Sequence, residues 1–231
     1  MKKKILLVIF LIFSLTFIFS KQILSKYYLY KFSNWVERTV TFDQLEINYP
    51  NFISIKGIKI LNSNPRNFEN IFEAEKIEIN FNLKSLFFSD LVIINSLNIF
   101  EPKFFLEIIK KNSKILDIEG NLKEESQTYD DNMGIAKSIN NKSSKKIWPE
   151  KKKDINFIIL ESTISDGTTY LKIPSIENSF QISLSDMQYY KFGNEKNYQH
   201  YKEILRVILY DIYARIKKPN LKKLLKKIYN L

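Results

Sequence analysis

The chain has one histidine, His200, and no cysteine. A nucleophile relay needs a base held beside its nucleophile. His200 stands alone at the start of an apolar helical stripe, where a surface helix position is the simpler account. Without cysteine, thiol nucleophiles, disulfides, iron–sulfur clusters and cysteine-ligated zinc are excluded. A single histidine is a poor basis for a transition-metal cluster. Asp43, Glu73, Glu75 and Glu78 are spread over strand-like segments, and solvent-facing positions explain them. Paired-carboxylate chemistry needs two groups converging in a pocket, and no such pair is readable. Asp130-Asp131-Asn132 hints at calcium, but the EF-hand spacing is absent and Gly134 falls one position early. There is no Walker A or GxGxxG phosphate loop, and Asn141-Lys142-Ser143 is a glycosylation pattern common by chance. The sequence therefore predicts no catalytic residue, no cofactor and no metal ligand.

Two segments do carry a physical signal. Met1-Lys2-Lys3-Lys4 precedes an uncharged, mostly apolar run from Ile5 to Ser20. The greasy positions are Ile5, Leu6, Leu7, Val8, Ile9, Phe10, Leu11, Ile12, Phe13, Leu15, Phe17, Ile18 and Phe19. As a helix the run spans ~24 Å, slightly less than a ~30 Å hydrocarbon core. Ile23 and Leu24 extend it, and Lys21 can snorkel between. Ser20 is small but Ile18 is not, so no small-x-small cleavage site is evident. This favours an uncleaved signal anchor over a cleaved signal peptide. The three lysines favour an N-terminus left in the cytoplasm, with the bulk of the chain beyond the membrane.

The second segment is the C-terminal amphipathic helix. Leu221, Leu224, Leu225 and Ile228 line one side, and Lys222, Lys223, Lys226 and Lys227 the other. Two readings stay open. The helix packs on the rest of the fold with its lysines in water, or it lies on an anionic membrane surface. The net charge of +11 comes almost wholly from lysine. Arginine is the better base reader, so the charge points to lipid headgroups or a solvated surface, not nucleic acid.

The elements between these ends are mostly strands. Residues 25–39 read as a juxtamembrane helix whose Tyr27, Tyr28, Tyr30 and Trp35 suit an interfacial belt. Apolar alternation of period 2 then begins. Leu45, Ile47 and Tyr49 alternate with polar residues, as do Ile53 and Ile55. At Gly57 the phase slips to Ile58 and Ile60, a bulge signal. Ile77, Ile79 and Phe81 share one face, and Leu91 to Phe100 is apolar on both faces at its start. A first β section thus covers 40–120. The polar stretch 121–153 reads as a disordered loop. A second β section of the same sheet covers 154–193, with Asp166-Gly167 as a hairpin turn. Helices fill 194–231, broken at Pro219.

This order resembles that of the small AsmA-like proteins of bacteria, relatives of the AsmA/TamB group. The resemblance rests on Val40-Thr41-Phe42-Asp43-Gln44-Leu45-Glu46-Ile47 and Ile55-Lys56-Gly57-Ile58-Lys59-Ile60-Leu61-Asn62. It continues through Asn64-Pro65 and Phe68, Ala74-Glu75-Lys76-Ile77-Glu78-Ile79, Leu83-Lys84-Ser85-Leu86-Phe87 and the closing Glu101-Pro102. Ile164-Ser165-Asp166-Gly167-Thr168 is similar to a second hairpin of the same kind.

The fold expected is α+β and mostly β. It has an N-terminal transmembrane helix (1–24), a curved antiparallel sheet and C-terminal amphipathic helices. What the resemblance implies is a single-pass inner-membrane protein with its bulk in the periplasm. It would be non-enzymatic and serve envelope lipid handling or outer-membrane homeostasis. The expected partners are membrane lipids, phospholipid among them, or an envelope protein, and not nucleic acid. The rival reading is a structural, partner-binding factor with no lipid cargo, its sheet face covered by the C-terminal helices.

Overall fold

The computed structural model describes residues 26, 29–30, 33–34, 38–48, 50–89, 91–116, 122–136, 156–174, 176–193 and 199–231. The anchor positions from Ile5 to Phe19 lie outside the described residues. No described helix is long and apolar enough to cross a membrane.

Among the described residues the fold is mostly β, a curled open sheet with few helices. The sheet has 11 strands. They are β1 (Val40–Thr41), β2 (Gln44–Asn48), β3 (Phe52–Leu61), β4 (Asn70–Phe81), β5 (Leu91–Phe100) and β6 (Lys103–Leu116). Then come β7 (Leu122–Asp131), β8 (Asn156–Ser165), β9 (Thr168–Lys172), β10 (Phe180–Ser183) and β11 (Met187–Gly193). The helices are α1 (Leu83–Phe88), α2 (Gln199–Arg215) and α3 (Pro219–Tyr229).

Several of these strands are halves of longer ones. β5 and β6 lie end to end along the same edge of β4, pairing Ile77 with Ile99 and Phe72 with Phe104. β8 runs parallel to β5 and β9 parallel to β6, in one unbroken register from Leu91↔Asn156 to Glu107↔Lys172. β11 and β10 return antiparallel to β8 and β9.

Three expectations need correcting here. The sheet is mixed, not purely antiparallel, because the chain crosses over between β6 and β8 and re-enters in the same direction. Asp166-Gly167 is not a hairpin turn. It is a kink inside the long β8–β9 strand, with Asp166 in the left-handed region at φ 56°. The disorder expected over 121–153 is overturned for Leu122–Asp131, which pair with β6 from Leu116 back to Ile108. Backbone pairing needs no apolar side chain, so a polar strand hides from a hydrophobicity pattern. Residues 137–153 lie outside the described residues.

The kinks line up. Gly57 (φ 63°), Glu101 (φ 48°) and Asp166 (φ 56°) occupy equivalent positions on β3, between β5 and β6, and between β8 and β9. Along this row every strand changes which parity faces inward. Ile55 gives way to Ile58, Ile77 to Ala74, Ile99 to Leu106 and Ile164 to Leu171. Because each strand slips together, the register survives and one continuous inner face results. A second flip follows at Lys191 (φ 51°) and at the bulge where Asn80↔Ser96 gives way to Phe81↔Ile94. Tyr189 and Phe192 meet edge to face across it, with ring centroids 6.3 Å apart.

The main core lies where the helices cover one end of the inner face. Leu106, Ile108, Leu171 and Ile182 of the sheet, with Leu184 just after β10, pack against Ile208, Leu209, Ile212, Leu221, Leu225 and Ile228. Each such buried aliphatic side chain contributes about 1.5–3 kcal/mol. Pro219 opens α3 at its first position, after an extended Lys218, and Asn230 closes it at φ 53°. Proline suits that place because its missing N–H would be unpaired there anyway, and a left-handed Asn is a usual helix terminator. Val40, Ile58 and Ala74 form a smaller core with Phe42, Phe72 and Leu29 packed on it.

Candidate functional site

The site begins with the alternation of β2 to β5. Across β2, β3, β4 and β5 the register aligns Ile47, Ile53, Ile79 and Leu97 in one row. The next row places Leu45, Ile55, Ile77 and Ile99 together. Past the second flip, Phe81, Ile94, Ile159 and Phe192 continue the same face. The opposite face carries Glu46, Ser54, Glu78, Asn98 and Thr163. Its groups satisfy one another. Lys56 bonds Glu46 at 3.0 Å, Lys76 bonds Glu78 at 3.0 Å, and Thr163 donates to Asn98 at 2.8 Å.

This inner face is closed at one end and apolar without a core at the other. Ile99 and Ile164 belong to the helix-covered core. Ile47, Ile53, Ile79, Phe81 and Leu97 belong to neither core cluster. Ile47 keeps 38 % of its surface exposed. A run of half-covered isoleucine, leucine and phenylalanine beside a closed core is a surface that water solvates poorly.

The α3 lysines are placed as follows. Lys223, Lys226 and Lys227 are exposed, while Lys222 is half-buried over the Tyr213 ring at 5.2 Å. Leu221, Leu225, Ile228 and Tyr229 on the other side of α3 are buried in the core. The apolar side of this helix is therefore taken up by the core, and the lysines lie apart from it.

His200 falls in the first turn of α2. Asp131 is buried, and its carboxylate accepts from the backbone N–H groups of Met133, Ile135 and Ala136 at 2.9, 2.9 and 2.7 Å. It starts a helical turn, and both of its oxygens accept from that turn's backbone. Burial pushes its carboxyl above the usual range, and those three bonds pull against the rise. Among the described residues no group of three or more acidic or histidine side chains is placed to hold a metal. Tyr229 is wholly buried, and burial, with Asp131 nearby, lifts its hydroxyl well above the ordinary value.

The sequence reading missed one carboxyl pair. Glu75 and Glu101 meet on the crease, where Glu101 shares a hydrogen bond with Glu75. That bond, then the like charge of Glu75, raises the Glu101 pKa. Both side chains are exposed, so the pair lacks the enclosed pocket that acid–base work requires. Only the register between β4 and the β5–β6 kink brings them together, and no spacing in the sequence encodes it.

A second feature lay beyond sequence reading. The 62–69 loop folds onto the outer face of β6, with Phe68 against Phe105 at 5.4 Å and Phe105 stacked on Tyr170 at 5.1 Å. Beside that stack lies a cavity of about 500 Å³ with Glu107 in its wall.

No protein-family model, curated protein or solved structure matches this chain.

Proposed function

We propose that this chain is a membrane-anchored AsmA-like protein of the bacterial envelope, and that its inner sheet face shelters lipid acyl chains. In this reading the segment from Ile5 to Phe19 holds it in the inner membrane, with the sheet in the periplasm. It performs no catalysis. The observation that carries the reading is the row Ile47, Ile53, Ile79 and Leu97, an apolar half-face outside both cores and backed by a largely polar one. Neighbouring strands stand ~4.8 Å apart. A sheet of this size covers an acyl chain but is too small to bridge two membranes. Phospholipid is the expected cargo. Solvent extraction of the purified full-length protein, followed by mass spectrometry, tests this. Co-purified diacyl lipid in near-stoichiometric amount is expected, and protein free of lipid contradicts it.

One observation favours the rival, a partner-binding envelope factor. α2 and α3 already close the other end of the inner face. Crosslinking in cells that recovers a protein at Ile79, with no lipid, would establish that reading instead.

A further inference from the structure

Glu107 is 5 % exposed, and only one of its carboxylate oxygens is used by the chain. Oε1 accepts from Asn67 Nδ2 at 2.5 Å. Oε2 is buried with no hydrogen-bond partner among the described residues. A buried carboxylate oxygen without a donor is destabilising unless something supplies one. Glu107 lines the cavity of about 500 Å³, a volume within the range of small-ligand sites. The same cavity is bordered by three cations, Arg66, Lys110 and Lys172, and by one further carboxylate, Glu177. Lys172 is the cross-strand neighbour of Glu107 and is turned toward the backbone carbonyl of Glu177.

The charges select the ligand class. A simple anion meets the Glu107 carboxylate in the wall. A simple cation meets three positive side chains at the border. A group with an N–H-bearing cation at one end and an anion at the other satisfies both. The inward end must donate a hydrogen bond to Oε2, and the outward end must accept from guanidinium or ammonium. We propose that this cavity binds a zwitterionic phosphoethanolamine group, its ammonium on Glu107 and its phosphate toward Arg66, Lys110 and Lys172. That group occurs free in solution or as the headgroup of a phospholipid. The cavity involves none of the residues of the apolar half-face, so the two proposals stand or fall separately.

The test is calorimetric titration of the full-length protein in nanodiscs free of ethanolamine lipid. Phosphoethanolamine should bind at least about tenfold more tightly than phosphocholine, whose quaternary nitrogen has no N–H, and than inorganic phosphate. Glu107→Gln should abolish that preference while leaving phosphate binding in place. Arg66→Ala, on an exposed loop, should weaken both phosphate-bearing ligands, which keeps the test decisive if the Glu107 variant does not fold. Nanodiscs of phosphatidylethanolamine against phosphatidylcholine then separate the sources. Competition of the first alone with soluble ligand marks a headgroup site, and competition by neither marks a site for the free compound. Equal binding of phosphoethanolamine, phosphocholine and phosphate, or no binding of any, overturns the proposal and leaves a water-filled cavity. Lipid crosslinked at Ile79 in such a case would still uphold the acyl-chain reading.

Discussion

Glu101 and Asp166 lie side by side on neighbouring parallel strands, both with left-handed backbones, at φ 48° and 56°. Glu101 N donates to Ser165 O at 3.0 Å, and Thr168 N donates to Pro102 O at 2.8 Å, so the ladder closes on both sides of the kink. A left-handed non-glycine residue costs about 1–2 kcal/mol. Two of them in one row are retained because the flip they produce keeps apolar side chains inward on both sides. The crease is thus the device that joins the helix-covered core to the apolar half-face.

Gly57 continues that row on β3. A Cβ there would fall 1.9 Å from Asp43 Oδ2, and the φ of 63° disfavours any side chain. Gly134 has a similar φ of 75°, with nothing within 4 Å of its would-be Cβ. Gly134→Ala should therefore cost about 1–2 kcal/mol from backbone strain alone, and Gly57→Ala clearly more. Adding Asp43→Ala to Gly57→Ala should recover the collision but not the backbone part. Urea denaturation of these three variants beside the parent checks this. Equal losses for the two single glycine variants would refute the crease as a tightly specified element.

Helix α3 separates packing from charge within one turn. Leu225 is 1 % exposed and its neighbour Lys226 is exposed. Leu225→Ala should lower stability by about 2–5 kcal/mol. Lys226→Ala should stay within about 0.5 kcal/mol. Binding of the folded protein to anionic vesicles reads the lysines separately. Replacing Lys223, Lys226 and Lys227 with Ala should weaken it without loss of stability.

The Glu75–Glu101 pair makes stability depend on pH. Glu101 has a raised folded-state pKa, from the hydrogen bond with Glu75 and then from like charge. The folded chain therefore binds this proton more tightly than the unfolded chain does. Its contribution is complete below the ordinary carboxyl pKa and is lost as pH rises through the raised value. Glu101→Gln removes the repulsion that appears above that pH. Thermal melts should show the variant gaining on the parent at about pH 7 and not at about pH 4, with the gain reduced by salt. A gain equal at both pH values would mean that ionisation of this carboxyl is not the cause.

Much of the sheet was legible because it alternates. Ile53, Ile55, Ile77 and Ile79 mark their inward face by period alone. The slip from Ile55 to Ile58 marks a change of face at Gly57, but the bulge expected there is absent: Gly57 is a left-handed kink at φ 63°, and its register with β4 runs on unbroken. The helix breaks at Pro219 and the short α1 were readable for similar local reasons. The parallel pairing of β5 with β8 was not, since it depends on a crossover that no local pattern encodes. Asp166-Gly167 has the composition of a hairpin turn, and only long-range register turns it into a kink. β7 was hidden because its side chains are polar and its ordering comes from the backbone ladder. For the candidate site, the apolar alternation was readable, but which half α2 and α3 would cover was not. The Glu107 cavity was invisible, because it is assembled from a loop, a strand interior and a strand end far apart in the chain.

The central claim is that the half-face carrying Ile79 meets acyl chains. Glu78 and Ile79 are adjacent on β4 and face opposite sides of the sheet. A photo-crosslinking amino acid placed at each position in turn, in the full-length protein in bacterial cells, compares the two faces directly. The account predicts lipid adducts by mass spectrometry at position 79 and none at 78. Equal labelling at both positions, or no lipid at 79 while the protein is folded and membrane-associated, contradicts it.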